Sequence, residues 1–169
     1  MPLTIVDLQH HLNMPALPGE QDPRRGELQR ALDTATSEVT RMTGLLDAGT
    51  ATARVTARGG VLSLPYVRLT SVVVRDPYGA VTSAAQADLE AGLLRVASVA
   101  AGVWSVDCTR ADPWPPALQT AALDWAAHVY DTQRTTLNPL ADEDTALPSF
   151  ALPNRVAEFL TPYRLSGIA

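Results

Sequence analysis

Pro115-Pro116-Ala117-Leu118-Gln119-Thr120-Ala121-Ala122-Leu123-Asp124-Trp125-Ala126-Ala127-His128-Val129-Tyr130-Asp131-Thr132-Gln133-Arg134 is the stretch that decides the fold of this chain. Proline at a first helical position forfeits no hydrogen bond, because that amide has no partner in any helix, so Pro115-Pro116 reads as a start. Leu118, Ala121, Ala122, Trp125, Val129 and Thr132 recur at three- and four-residue spacing and line one helical face. Beyond it, Thr135 to Pro153 reads as a mobile loop with three prolines and the acidic run Asp142-Glu143-Asp144. A short second helix follows in Asn154-Arg155-Val156-Ala157-Glu158-Phe159 and stops at the corner Leu160-Thr161-Pro162-Tyr163-Arg164. Two helices joined by an acidic tether, with no catalytic set between them, point to a part of an assembly.

Upstream, Thr4-Ile5-Val6-Asp7 has the spacing of a capping box, and a short helix should run from it to about Asn13. Pro15 and Pro18-Gly19 interrupt the chain. Asp22-Pro23 restarts it, and a long helix should end at Thr43, with Gly44 as the stop. Its predicted buried stripe is Leu28, Leu32, Ala35, Val39 and Met42; Arg25, Gln29, Arg30, Glu38 and Arg41 face water.

From about Thr50 to Thr109 the period changes to two. Alternation is clear over Ala53 to Arg58, ahead of a Gly59-Gly60 turn and Val61 to Leu64. Val72-Val73-Val74 lies in a strand, Asp76-Pro77-Tyr78-Gly79 is a turn, and Leu89 to Val96 reads as a tight hairpin. Val103 to Thr109 is the last strand, with Trp104, Val106 and Cys108 on one face and Val103, Ser105 and Asp107 on the other. Helices before and after a strand-rich stretch predict an α+β chain: a small bundle of long antiparallel helices with an inserted antiparallel β region at 50–110. At 169 residues this is one domain, 1–169, with an acidic loop and docking helix or tail at 135–169.

Composition narrows the function. Apolar residues make up 46% and charged ones 18%, a low charge content that favours subunit contacts over a free surface. The formal net charge of -5 and a pI near 5.0 argue against gripping nucleic acid through its phosphates. All thirteen basic residues are Arg. Cys108 stands alone, which excludes an internal disulfide and a cysteine-based zinc site; a small buried hydrophobe is the favoured role. No signal peptide or membrane-length apolar run is visible, so synthesis in a cytoplasm is expected.

No constellation of chemistry survives a residue-by-residue search. His10 and His11 are adjacent and diverge by about 100° on a helix, so they cannot chelate together. Asp124 and His128 share a face at i,i+4, which favours a surface helix pair over an acid–base couple. Asp142-Glu143-Asp144 lacks the alternating ligands and the turn glycine of a hard-ion loop. No nucleophile elbow or phosphate-cradling loop is present, and neither an enzyme nor a cofactor is expected. Trp114, Trp125 and Tyr130 suggest a binding patch, but core packing is favoured for Trp125, and for Trp114 packing of the insertion's exit on the helix. Phe150, Leu152, Val156, Phe159, Leu160 and Tyr163, with Arg155 and Arg164, form an apolar hook that docks either on its own helices or on a neighbour.

Val6-Asp7-Leu8-Gln9-His10-His11-Leu12, the capped helix ending in Thr43-Gly44, Leu64-Pro65 before Val72-Val73-Val74, Pro115-Pro116-Ala117-Leu118, Arg134 and Leu160-Thr161-Pro162-Tyr163-Arg164 occur in an order that resembles the head–tail connector (adaptor) proteins of long-tailed double-stranded DNA bacteriophages. The resemblance spans nearly the whole chain. It departs in the β region, which is larger than in the mostly helical smaller members. It implies a ring of about twelve copies in the virion neck, under a portal protein and above a stopper or tail-completion protein. DNA would pass through the channel without sequence-specific binding. By position, Asn154 to Arg164 and the tail to Ala169 are the candidate portal contact. The competing readings are another neck component or, with less support, a small regulatory binding module.

Overall fold

Asp22 shows how directly residue chemistry sets the helix ends: its Oδ1 accepts from the Arg24 amide at 3.0 Å, as an N-cap does at the second helical residue. The computed structural model describes residues 3–19, 22–97, 101–136 and 152–165. Helix α2 runs Pro23–Thr43, from the predicted proline to the predicted glycine, where Gly44 takes φ 66°. Its inner face buries Leu28, Ala31, Leu32, Ala35 and Val39 completely or nearly so. Met42, expected on that stripe, is only half-buried, and Thr43 is buried in its place, donating its hydroxyl to the Val39 carbonyl.

Helix α1, Ile5–His11, starts at the predicted capping box. The Thr4 hydroxyl accepts from the Asp7 amide while Asp7 Oδ2 accepts from the Thr4 amide at 2.7 Å. The helix stops two residues before the predicted end because Asn13 turns to φ 52°. Helix α3 spans Pro116–Thr136, and all six residues of its predicted stripe are buried. Helix α4, Asn154–Leu160, runs straight into a single 3-10 turn, Thr161–Tyr163, where Pro162 prevents a further α turn.

These helices form one compact unit, Leu3–Thr43 with Pro115 onward; Gly44–Trp114 forms a second. The chain is thus α+β with antiparallel sheets. Among the described residues a bundle of long helices is not shown: α2 and α3 have 21 residues each, whereas α1 and α4 have seven each. The short pair is clipped by Asn13 at one end and Pro162 at the other.

The second unit holds two antiparallel sheets. One is ordered β1 (Gly49–Thr56), β7 (Val103–Arg110), β3 (Ser71–Arg75), β4 (Val81–Thr82); the other is β2 (Val61–Ser63), β6 (Leu93–Val96), β5 (Ala84–Asp88). Strand β7 keeps strict alternation, and Trp104, Val106 and Cys108 are fully buried with Leu62 and Leu94. The Cys108 thiol is pushed up to about 11, first by burial and then by the Asp107 charge, as suits an inert core thiol.

The predicted Leu89–Val96 hairpin is shifted. Its first strand is β5, upstream, and residues 89–92 form the connection to β6. Gly92 adopts φ 69° there, and a Cβ at this position would lie 2.2 Å from the Tyr66 carbonyl oxygen. Trp114 is buried within this unit, its indole N–H donating to the Leu45 carbonyl at 2.8 Å. Arg110, also buried, donates to the Leu46 carbonyl at 2.7 Å.

Candidate functional site

The apolar hook is built by α4 and the 3-10 turn. Pro153, at φ -57° and ψ 138°, directs the chain into the helix, and the Pro153 carbonyl accepts from the Ala157 amide at 3.0 Å. Val156 and Leu160, four residues apart, point the same way and are fully buried in the helical unit, where α4 packs on α3 and α2. At the exit, the Thr161 hydroxyl donates to the Ala157 carbonyl, and the Leu165 amide donates to the Met42 carbonyl at the end of α2. The hook therefore docks on its own chain, and Val156 and Leu160 are taken out of the candidate partner surface because the core uses their side chains.

A second contact reinforces that docking. Asp124 on α3 accepts from His11 Nε2 at 2.8 Å through Oδ1 and lies 3.3 Å from Arg155 Nε through Oδ2. One carboxylate, 15% exposed, thus joins α1, α3 and α4. The Arg155 guanidinium sits 5.7 Å from the Phe159 ring centre, over its face, a cation–π arrangement one turn along α4. The i,i+4 relation to His128 pointed to a local pair; Asp124 also meets His11 and Arg155, both far away in sequence. An isolated helix offers this side chain only its neighbours four residues away, whereas packing brings distant helices to it.

The other predicted hook residues divide by exposure. Arg155 and Arg164 are exposed, and Leu152, Phe159 and Tyr163 are half-buried. With Glu158, Thr161 and Pro162, also exposed, they leave an outer surface of mixed aromatic and basic character. Phe150 and Asp142-Glu143-Asp144 lie outside the described residues. Trp125 and Tyr130 are buried in the helical unit, so with Trp114 buried in the β unit the three form no exposed aromatic patch. Among the described residues, no three His, Cys, Asp or Glu side chains cluster as metal ligands, and no helix is long and apolar enough to cross a membrane.

On the β unit, the outer face of the four-stranded sheet carries a polar network that sequence reading missed. Asp107 accepts from the Thr52 hydroxyl at 2.8 Å and from the Arg75 guanidinium, and Thr50 and Thr109 hydroxyls meet at 2.9 Å. The Arg75 bond, then that from Thr52, holds the Asp107 carboxyl below its ordinary range. The alternation of β1 and β7 exposes these residue types, but only the strand register makes them partners.

No protein-family model matches the chain, and no curated protein matches it in sequence. Solved structures do. A chain from the neck of an empty GTA particle, computed with C6 symmetry, superposes with a TM-score of 0.65 at 16% identity over 99% of this chain and 92% of that one. A chain from the virion of a native gene transfer agent (GTA) particle gives 0.62 at 18% identity, with the same coverage of both. The likeness extends over both units and establishes a shared fold.

Proposed function

We propose that the protein is a structural component of the neck of a phage or phage-like particle, and specifically a head–tail adaptor that forms a ring under the portal and joins capsid to tail. The observation that carries this reading is the end-to-end likeness to chains of GTA particles, one of them in the neck, with nearly all of both chains superposed. The C6 symmetry of that neck is compatible with rings of six or of twelve, and the resemblance to connectors favours twelve. The low charge content and the surface formed by exposed Arg155 and Arg164 with half-buried Phe159 and Tyr163 support a chain whose faces are covered by sister chains and by a neighbouring ring.

In this reading the protein acts by shape and not as a catalyst. Twelve copies at -5 each carry -60 formal charges, and a negative channel wall lets DNA slide instead of adhering. Strong duplex binding by the purified ring at physiological salt would contradict that. A stopper or tail-completion protein is the second reading, disfavoured by the two 21-residue helices. Electron microscopy of the protein mixed with its portal separates them. An adaptor adds a second ring directly on the portal; a stopper adds nothing until an adaptor is supplied.

A further inference from the structure

We infer that strand β5 of one copy adds to the free edge of strand β1 in the next, so that hydrogen-bonded sheets run from copy to copy; this rests on the ring reading above and specifies its subunit contact. Strand β1, Gly49–Thr56, is an edge strand of eight residues, paired on one side only. Its register with β7 is unbroken from Gly49↔Arg110 to Thr56↔Val103. On the other side, alternate residues turn their N–H and C=O groups outward, and none of those groups is bonded among the described residues. A recess of about 490 Å³, lined by Val55, Thr56, Arg58, Val61 and Ser63, opens beside the end of the strand. Long edges are ordinarily blunted by proline, a bulge, inserted charge or brevity. Strand β1 has no proline, no bulge and one charged residue, Arg54.

The remaining edges of the β unit single out the strand that fits. Strand β4 has two residues and β2 has three, and the Val61 amide and carbonyl of β2 are already bonded to Arg58. Strand β5, Ala84–Asp88, has five residues, pairs with β6 on one side and has no backbone bond on the other among the described residues. It is exposed on both faces from Ala85 to Asp88. Ala and Asp are poor strand formers, so in a single copy the ladder to β6 alone holds this segment extended. A second ladder gives it the neighbour it lacks. Pairing of β1 with another β1 does not suit a ring, because a two-fold contact closes at two copies.

The side chains of the two strands match. Arg54 and Asp88 are both exposed, and among the described residues neither has an ion-pair partner. With Asp88 set opposite Arg54, parallel pairing lays Ala84–Asp88 along residues 50–54, wholly inside β1. Antiparallel pairing from the same contact would run on to Arg58, whose amide and carbonyl are taken by Val61. The parallel register also sets Gln86 opposite Thr52 on the exposed face, and Ala87 opposite Ala53, two small side chains, on the face where Ala53 is buried. One cation among threonines gives the edge little hold on phosphates, whereas its outward amides and carbonyls are met in full by another strand.

The test uses the full chain on its portal. In wild type, ring formation is scored first by electron microscopy; a wild-type chain that never forms a ring refutes the adaptor reading, and this inference falls with it. With the ring formed, Gln86→p-benzoylphenylalanine is photo-activated, and adducts that migrate as two joined copies are mapped by mass spectrometry. Cross-links to residues 49–56 of the neighbouring copy are expected. Rings that yield no adduct between copies, or adducts only to a neighbour's helical unit, to the portal or to DNA, overturn the inference and leave the adaptor reading standing. Alongside, Arg54→Glu, an exposed change that leaves the far-UV spectrum unaltered, sets like charges opposite each other and should raise the concentration needed for ring formation roughly three- to tenfold. Ring formation by that variant at wild-type concentrations also overturns it.

Discussion

Replacing Asp124 by Ala removes the acceptor shared by His11 and Arg155 and tests whether the carboxylate fastens the C-terminal hook. Two contributions disappear. The 2.8 Å bond from His11, 30% exposed, to a carboxylate 15% exposed is worth about 1.5–2 kcal/mol once partial solvation is allowed for. The Arg155 pair at 3.3 Å has its cation 69% exposed and adds at most about 0.5–1 kcal/mol. Ala returns about 0.5 kcal/mol through its better helix propensity in the middle of α3. The net loss of about 2 kcal/mol lowers the Tm by roughly 4–8 °C in a chain of this size. Circular dichroism reads the melting, and hydrogen exchange reads the amides of α4. The expected result is a lower Tm with protection lost first in α4, a much smaller effect for Arg155→Ala, and coupling between His11→Ala and Asp124→Ala in a double-mutant cycle. An Asp124→Ala protein with wild-type Tm and unchanged α4 protection would refute the reasoning.

Leu160→Ala should cost about 2–5 kcal/mol, because a fully buried side chain leaves a cavity between α4 and its neighbours; chemical denaturation measures it, and a loss under 1 kcal/mol would mean the hook is not seated as described. Gly92→Ala should destabilise the β unit severely, since the new methyl meets the Tyr66 carbonyl oxygen at 2.2 Å and φ is 69°; expression level and near-ultraviolet dichroism from Trp104 and Trp114 report it, and a normally folded variant would contradict it. For Asp107, the folded carboxyl titrates below its unfolded value of about 3.8, so its stabilisation is present above that value and fades as the pH falls through the folded pKa. Acid titration of stability should show this loss below about pH 4, and Asp107→Asn should flatten that limb; an unchanged limb would show that the Arg75 and Thr52 bonds contribute nothing.

Local chemistry made much of the helical unit readable. Asp22-Pro23 and Gly44 bound α2, and Thr4 with Asp7 opens α1, because caps act within one turn and leave their signature in neighbouring residues. The alternation of β7 was equally plain, since burial on a half-covered strand repeats every second residue. Strand β5, Ala84–Asp88, was not: it is exposed along most of its length and built of Ala, Gln and Asp, so nothing in its own pattern announces a strand. It exists because β6 offers it a ladder and Gly92 permits the return. For the same reason the Asp124 junction stayed hidden. His11 and Arg155 lie far from Asp124 in sequence, and only packing brings them to one carboxylate. The hook residues were visible as a group, but which of them face inward depended on a helix phase and a docking partner that their spacing alone does not choose.

The most direct measurement is electron microscopy of the purified chain with and without its portal. The adaptor account predicts a second ring of about twelve copies stacked coaxially on the portal. A chain that remains monomeric beside free portals at all concentrations, or that binds only after another neck protein has bound, would contradict it.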